Sequence, residues 1–263
     1  MKFVSVQNYV VNIFEIPVVS SLIFLARYFT DKSAFKSQKK LITLREPTIF
    51  DIGAHVGQTA KQYRRFFPKS KIYSFEPFPD SFQKLQTKHQ KDKRVFPQNV
   101  AVSETSGRLS LHVNSDAATN SVLPIADEGK VCWGDRLQSK DNLEVKSVSI
   151  DDFCAEHLIH HIDILKLDLQ GHELAALRGA KNMLQKQAID LIYLELLVSK
   201  SYENQPQLHE YLTLFAEFDY KFLDFYSPIR KGVQLIQCDL IFVSQNLNDK
   251  ILRSIKKGGF STS

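Results

Sequence analysis

Short apolar runs and amphipathic stretches alternate along the chain from Thr48 onward. In Glu173–Gln185 the apolar residues recur at helical spacing, whereas short apolar runs bounded by polar residues are typical of buried strands. The predicted strands are Ile49–Ile52, Ile72–Phe75, Val95–Val102, Ile162–Leu167, Ile189–Glu195, Phe222–Phe225 and Leu240–Val243. The predicted helices are Thr59–Phe67, Ser81–His89, Glu173–Gln185 and Gln207–Phe218.

This order of elements predicts an α/β fold, with a doubly wound sheet and helices on both of its faces. Asp163–Asp168 and Asp190–Glu195 come close to the continuous apolar runs that buried parallel strands show. One region breaks the alternation, since Gly107–Val113 and Val145–Ile150 are predicted as extra strands around a polar loop, Asn114–Asn142. A loop of that length inside a domain is usually functional or disordered.

Residues 1–44 are predicted to form an N-terminal helical extension and linker in front of a domain over residues 45–263. Ile16–Ala26 is uncharged and mostly apolar, but it is about half as long as the ~20 residues that span a bilayer. We prefer a helix packed on the domain or at a homodimer contact. Weak peripheral membrane association through residues 9–29 stays open as the alternative.

Composition and charge place the chain among ordinary soluble proteins. With 263 residues, 43% hydrophobic and 24% charged, it fits one large α/β domain. The net charge of +5 comes partly from lysine-rich runs without interleaved aromatic residues, so we interpret it as solvated surface and expect no nucleic-acid partner. The three cysteines are far apart, which argues against a disulfide framework or structural zinc site and favours a cytoplasmic setting.

The segment Thr48–Gln58 joins a short apolar strand to a turn that contains Gly53 and Gly57, with a predicted helix behind it. Glycines allow the backbone to approach a ligand closely, and a helix N-terminus offers unpaired N–H groups. By itself this Gly-x-x-x-Gly pattern also fits a plain turn. It indicates a nucleotide-like ligand only in combination with other residues.

Carboxylates recur where predicted strands end, at Asp51, Glu76, Asp168 and Glu195. Because ligands of open α/β sheets bind beyond the carboxyl ends of the strands, these side chains are candidates for one site. Glu76 lies 25 positions after Asp51, close to the offset of about 20 residues that is expected of a ribose-binding carboxylate. Each also has a structural alternative: a solvated strand end for Glu76, a helix N-cap for Asp168 and a lysine pair for Glu195.

Six blocks follow one another in the chain: Phe50–Gln58, Tyr73–Pro77, Asn99–Ser103, Leu165–Glu173, Leu177–Ala180 and Tyr193–Glu195. Together they resemble the FkbM-like family of S-adenosylmethionine-dependent methyltransferases, in which the same blocks occur in the same order. The resemblance covers residues 45–245. It implies a seven-stranded class I methyltransferase fold and methyl transfer to a hydroxyl oxygen of a small-molecule or sugar-type acceptor.

By position, the resemblance implies that S-adenosylmethionine is contacted by Asp51, Gly53, His55, Gly57, Glu76, Asn99, Ala101 and Asp168. The glycine turn would surround the methionine part of the cofactor, and Glu76 would hold the ribose hydroxyls. Asn99–Ala101 would lie near the adenine and Asp168 near the sulfonium.

Two positions depart from the family pattern. His55 stands where the family usually has Asn or Gly, and Gln170 replaces the Glu of the typical Asp-x-Glu-Gly. These departures keep open a catalytically inactive binding or scaffold protein that has retained the fold. The basic charge keeps open a nucleic-acid methyltransferase, although no Asn/Asp-Pro-Pro-Tyr-type motif is present.

Methyl transfer to a hydroxyl requires alignment of the acceptor and removal of a proton. Asp168 and His172 are the predicted catalytic residues, and a surface position on the first helical turn is the alternative for His172. The spacing demands no metal site, and Asp168 and Glu195 are the candidate ligands if Mg²⁺ binds. We expect acceptor specificity to lie in Leu111–Lys140, which carries Trp133.

Overall fold

The computed structural model describes residues 34–256. Of the predicted N-terminal extension it therefore shows only a helix over residues 34–41 and the linker that leads to the first strand. The predicted dimer or membrane contact through residues 9–29 lies outside the described residues.

Seven strands form the central sheet, and their order confirms the predicted α/β sheet. They are β1 Thr48–Ile52, β2 Lys71–Phe75, β3 Val95–Gln98, β7 Ile162–Leu167, β8 Ile189–Leu197, β9 Lys221–Lys231 and β10 Gln234–Val243. The spatial order is β3-β2-β1-β7-β8-β10-β9, with parallel neighbours from β3 to β8 and with β10 antiparallel to both β8 and β9. The carboxyl ends of β2, β1, β7 and β8 therefore meet at one edge of the sheet.

Helices cover both faces of the sheet, as predicted. They are α1 Gln58–Phe66, α2 Pro79–His89, α3 Asp127–Trp133, α4 Ile150–Glu156, α5 Glu173–Arg178, α6 Lys181–Gln185, α7 Leu208–Glu217 and α8 Gln245–Lys256. Alternate residues of β7 supply the two cores: Leu165 packs with α4 to α7, and Ile164 packs with α1, α8 and the helix over 34–41. None of the helices in the described part is long and apolar enough to cross a bilayer.

A second, three-stranded sheet corrects several predicted boundaries. It has the order β4-β6-β5 and consists of β4 Ala101–Val102, β5 Gly107–Asn114 and β6 Ser139–Val148. The predicted strand Val95–Val102 is thus two strands, because β3 pairs with β2 whereas β4 pairs with β6. The predicted loop Asn114–Asn142 is largely ordered, since it contains α3 and two short 3₁₀ helices, Ala117–Thr119 and Gly134–Leu137.

The predicted helix Glu173–Gln185 was also wrong in extent, because it is divided into α5 and α6. A Cβ atom built on Gly179 would lie 2.2 Å from the carbonyl oxygen of Ser103, so the chain approaches a neighbouring loop too closely there for any side chain. Helical periodicity continues across this break because residues on both sides bury apolar side chains against the same core.

At the edge of the sheet away from the carboxyl ends of β1, β7 and β8, His161 lies between two carboxylates. Its Nε2 is 3.3 Å from Asp190 Oδ2 and 3.7 Å from Asp163 Oδ1. The hydrogen bond with Asp190 raises the pKa of His161 above its ordinary value, although burial opposes this. When it is protonated, the imidazolium links the starts of β7 and β8.

We expect His161→Gln to lower the free energy of unfolding at pH 5.5 and to have a smaller effect at pH 8.5. The pKa in the folded state is raised above the ordinary 6.5, so the stabilisation is complete below that value and is lost as the pH rises through the folded-state pKa. Because His161 is 45% exposed, the loss should be below about 1 kcal/mol. Urea unfolding at both pH values measures it; an equal effect at both would contradict the ion pairs.

Candidate active site

The turn after β1 brings the backbone of two strands into contact. Gly53, His55 and Gly57 all have left-handed backbone conformations, with φ of 75°, 48° and 77°. A Cβ atom on Gly53 would lie 1.9 Å from the carbonyl oxygen of Asp168, which follows β7. Only glycine therefore fits where the β1 turn lies against the end of β7.

A buried ion pair lies beneath this contact. Asp51 is fully buried, and its Oδ1 is 3.3 Å from Nζ of Lys166 on β7. The ammonium also donates to the carbonyl oxygens of Ile52 and Gly53, at 3.1 and 2.9 Å. Burial disfavours the charge, but the carboxylates of Asp51 and Asp168 outweigh it and raise the pKa of Lys166. The sequence gives one signal of this residue, a lysine inside an otherwise apolar strand, but we predicted no role for it.

Glu76 follows β2 and is fixed by backbone donors. Its Oε2 accepts the N–H of His55 at 2.8 Å and its Oε1 accepts the N–H of Phe78 at 2.9 Å. Burial raises the pKa of this carboxyl to about 7, although both N–H groups favour the ionised form. His55 thus meets Glu76 through its backbone, and the side-chain amide of Asn99 donates to the Glu76 carbonyl at 2.9 Å.

The turn after β7 assembles a polar network around Gln170. Its Nε2 donates to Asp168 Oδ1 at 3.1 Å and to Glu195 Oε2 at 2.6 Å. The hydroxyl of Tyr202 donates to Gln170 Oε1 at 3.2 Å. The side-chain amide of Gln237 donates to Glu195 Oε1. Tyr202 and Gln237 are distant in sequence from the residues to which they donate, and no local pattern indicated them.

Glu173 holds this turn from below. The residue is 1% exposed, and its Oε1 accepts the N–H groups of Leu169 at 2.6 Å and Gly171 at 3.3 Å. Tyr211 donates its hydroxyl to Oε2 at 3.2 Å. Burial raises the pKa of Glu173 to about 7. The residue therefore acts on the conformation of the loop that presents Asp168, a role that we did not predict from the sequence.

His172, which we predicted as a catalytic residue, lies close to Ser103. Its Nε2 is 2.9 Å from Ser103 Oγ. Burial lowers the pKa of the imidazole to about 4, so it is neutral at pH 7. A neutral imidazole with that pKa is a weaker proton acceptor than the ordinary histidine value implies.

These turns surround one cavity of about 650 Å³, a volume within the range of ligand pockets. Its lining includes Gly53, His55, Glu76, Ala101, Asp168, Gln170, His172 and Glu195, together with Leu111, Thr119, Trp133 and Arg136 from the predicted specificity region. Three other predicted cofactor residues, Asp51, Gly57 and Asn99, do not line the cavity. Asp51 pairs with Lys166 and Asn99 donates to the Glu76 carbonyl, so both contact residues that do, whereas the Gly57 carbonyl contacts His89 at 2.9 Å.

A family model described as the methyltransferase FkbM domain matches residues 51–222. The chain is similar to the 2-O-methyltransferase NoeI of Sinorhizobium fredii, with 26% identity over 198 residues, or 71% of this chain and 79% of that protein. It is also similar to the hexuronic acid methyltransferase AglP of Haloferax volcanii, with 26% identity over 141 residues, or 53% of this chain and 52% of that protein.

Among solved structures, the magnesium protoporphyrin IX methyltransferase ChlM from Synechocystis PCC 6803 with bound SAM has a TM-score of 0.51 to this chain. The two are 12% identical, and the match covers 89% of this chain and 88% of ChlM. The similarity at that identity concerns the fold.

We expect Lys166→Met to lower the free energy of unfolding by about 3–5 kcal/mol, because Asp51 would remain buried without its cation. Adding Asp51→Asn should recover at least about 1 kcal/mol of that loss, since a neutral amide costs less to bury than a carboxylate. Urea unfolding of both variants gives the values. If Lys166→Met alone were as stable as the parent protein, the Asp51–Lys166 pair would not contribute to stability in this way.

Proposed function

This chain belongs to the FkbM methyltransferase family and uses S-adenosylmethionine, and we propose that it methylates a hydroxyl oxygen of a sugar-type or other small hydroxylated acceptor. The observation that carries the proposal is the polar network of Asp168, Gln170 and Glu195, which lines the same cavity as Glu76. Carboxylates and amides are suited to binding several hydroxyl groups at once. The names of NoeI and AglP, a 2-O-methyltransferase and a hexuronic acid methyltransferase, support the same acceptor class.

The residues present fit the cofactor at the turn after β1. Gly53 lines the cavity with its backbone alone, and Glu76 presents a fixed carboxylate to the same cavity. We assign Glu76 to the ribose hydroxyls, Gly53 and His55 to the methionine part and Ala101 to the adenine. When bound, S-adenosylmethionine supplies a methyl group that the adjacent sulfonium already activates.

The protein must orient the acceptor hydroxyl and take up its proton. We assign the uptake of this proton to the carboxylate of Asp168. Its side chain is 31% exposed, and its Oδ2 lies 3.7 Å from Lys166 Nζ. His172, neutral at pH 7, would contribute a hydrogen bond beside the acceptor. Acceptor choice would depend on Leu111–Lys140, because several residues of that region line the cavity. Asp168→Asn should then lower kcat by a larger factor than it weakens S-adenosylmethionine binding, because Asp168 is proposed to lie near the sulfonium as well as the acceptor.

We retain the domain boundaries 1–44 and 45–263, a homodimer and weak membrane association through residues 9–29 as proposals. The apolar stretch Ile16–Ala26 is compatible with both contacts, and its short length favours the homodimer over the membrane. Two measurements separate them. Light scattering of the protein in solution should give a doubled mass if it is a dimer, and co-sedimentation with anionic vesicles should detect a membrane contact.

The direct test of the proposed function is transfer of radiolabelled methyl groups to an acceptor panel. The panel should contain neutral glycosides, uronic acids, hydroxylated aglycones and RNA, with mass spectrometry to locate the label. We expect label on a hydroxyl oxygen of a sugar or other hydroxylated compound, and less label with Asp168→Asn. Transfer to a nitrogen, to RNA or to no member of the panel would contradict the proposal.

We expect S-adenosylmethionine to bind more weakly as the pH falls from 8 to 6, because the carboxyl of Glu76 becomes protonated below about 7 and then accepts hydrogen bonds less well. Glu76→Gln should weaken binding at pH 8 by at least about tenfold and should remove this pH dependence. Isothermal titration at several pH values provides the affinities. Glu217→Gln, at an exposed position on α7, is the matched control and should behave as the parent protein. An unchanged affinity in Glu76→Gln would rule out the ribose assignment.

A further inference from the structure

We propose that the side-chain amide of Gln170 positions Asp168 and Glu195, and that the acceptor site needs no bound metal ion. The amide lies between the two carboxylates, where a divalent cation would otherwise bind. The inference rests on the proposed function in so far as Asp168 is taken as the proton acceptor. It concerns the residue that departs from the family pattern of Asp-x-Glu-Gly.

The hydrogen-bond donors of Gln170 are both used on carboxylates. One N–H of Nε2 points to Asp168 Oδ1 at 3.1 Å and the other to Glu195 Oε2 at 2.6 Å. The Tyr202 hydroxyl contacts Oε1 at 3.2 Å, which fixes which side of the amide faces the carboxylates. Turning the amide over would bring Oε1 against two anionic groups and would be unfavourable unless a cation lay between them.

The backbone holds the amide in this position before any ligand binds. Gln170 has a left-handed backbone with φ of 53°, and its carbonyl oxygen accepts the hydroxyl of Ser121 at 2.8 Å. The residues on either side, Leu169 and Gly171, donate their N–H groups to the buried carboxyl of Glu173. Hydrogen bonds thus hold the backbone on both sides of Gln170, which fixes the position of the Cα atom that carries its side chain.

Protein groups already contact both carboxylates. Glu195 is 3% exposed and receives an amide N–H on each oxygen, from Gln170 and from Gln237. Asp168 receives Gln170 on Oδ1 and lies near the Lys166 ammonium on its Oδ2 side, at 3.7 Å. A cation entering between Asp168 and Glu195 would have to displace the Gln170 amide. A third carboxyl at position 170 would instead create the set of hard oxygen ligands that Mg²⁺ and Mn²⁺ prefer.

The test compares Mn²⁺ binding by the full chain, its Gln170→Glu variant and a charge-matched control, Gln185→Glu, at an exposed position on α6. Electron paramagnetic resonance of free Mn²⁺ measures binding without any acceptor. We expect Gln170→Glu to bind Mn²⁺ at least about tenfold more tightly than the parent protein, and Gln185→Glu to match the parent protein. Adding Asp168→Asn to Gln170→Glu should remove the gain.

Once an acceptor is known, a second arm uses activity. The parent enzyme should keep its rate in EDTA, whereas Gln170→Glu should lose activity in EDTA and regain it with Mn²⁺. Gln170→Leu should lower kcat with and without Mn²⁺, while its titration with S-adenosylmethionine stays unchanged.

Three results would overturn the inference: tight Mn²⁺ binding by the parent protein that Asp168→Asn abolishes, loss of parent activity in EDTA with recovery in Mn²⁺, or a folded Gln170→Glu without any gain in Mn²⁺ binding. If that variant does not fold, the titration of the parent protein and of Asp168→Asn still decides. Failure of the acceptor panel would reject the proposed function and leave the Mn²⁺ result intact, so the two failures are distinguishable.

Discussion

The buried contact between Asp51 and Lys166 is the constraint on which the rest of the site depends. Lys166 places one ammonium against the Asp51 carboxylate and against the carbonyl oxygens of Ile52 and Gly53, so it joins the end of β1 to β7. An uncompensated charge in this position would be costly, which ties the two strand ends to one relative position. Gly53 completes the contact because the Asp168 carbonyl leaves no space for a side chain.

From that junction the site extends in two directions along the edge of the sheet. Toward β2, the backbone N–H of His55 meets the carboxyl of Glu76 and links the glycine turn to the next strand. Toward β8, Gln170 joins Asp168 to Glu195. The proposed cofactor and acceptor parts of the cavity therefore share the short segment that follows β7.

The two departures from the family pattern have different physical meanings. His55 is bulky, but it occupies a left-handed conformation that histidine tolerates better than most residues, and its contribution to Glu76 comes from the backbone. Gln170 changes the chemistry, because an amide donates hydrogen bonds where a carboxylate could only accept them. The first substitution is thus compatible with the usual turn, whereas the second places hydrogen-bond donors between Asp168 and Glu195.

The sequence by itself determined most strands of the central sheet, the glycine turn and the carboxylates at the strand ends, since apolar runs, glycine and strand-end acids are local signals. It missed the division of Val95–Val102 between two sheets, which depends on strand pairing. From those signals we also predicted that Asp51, Glu76, Asp168 and Glu195 lie at one edge of the sheet. Only the tertiary structure decided what these groups contact. Tyr202, Gln237 and the buried end of Lys166 meet them through long-range packing, which leaves no periodic trace in a single chain. The lowered pKa of His172 and the raised pKa of Glu76 likewise depend on burial, which the folded arrangement alone sets.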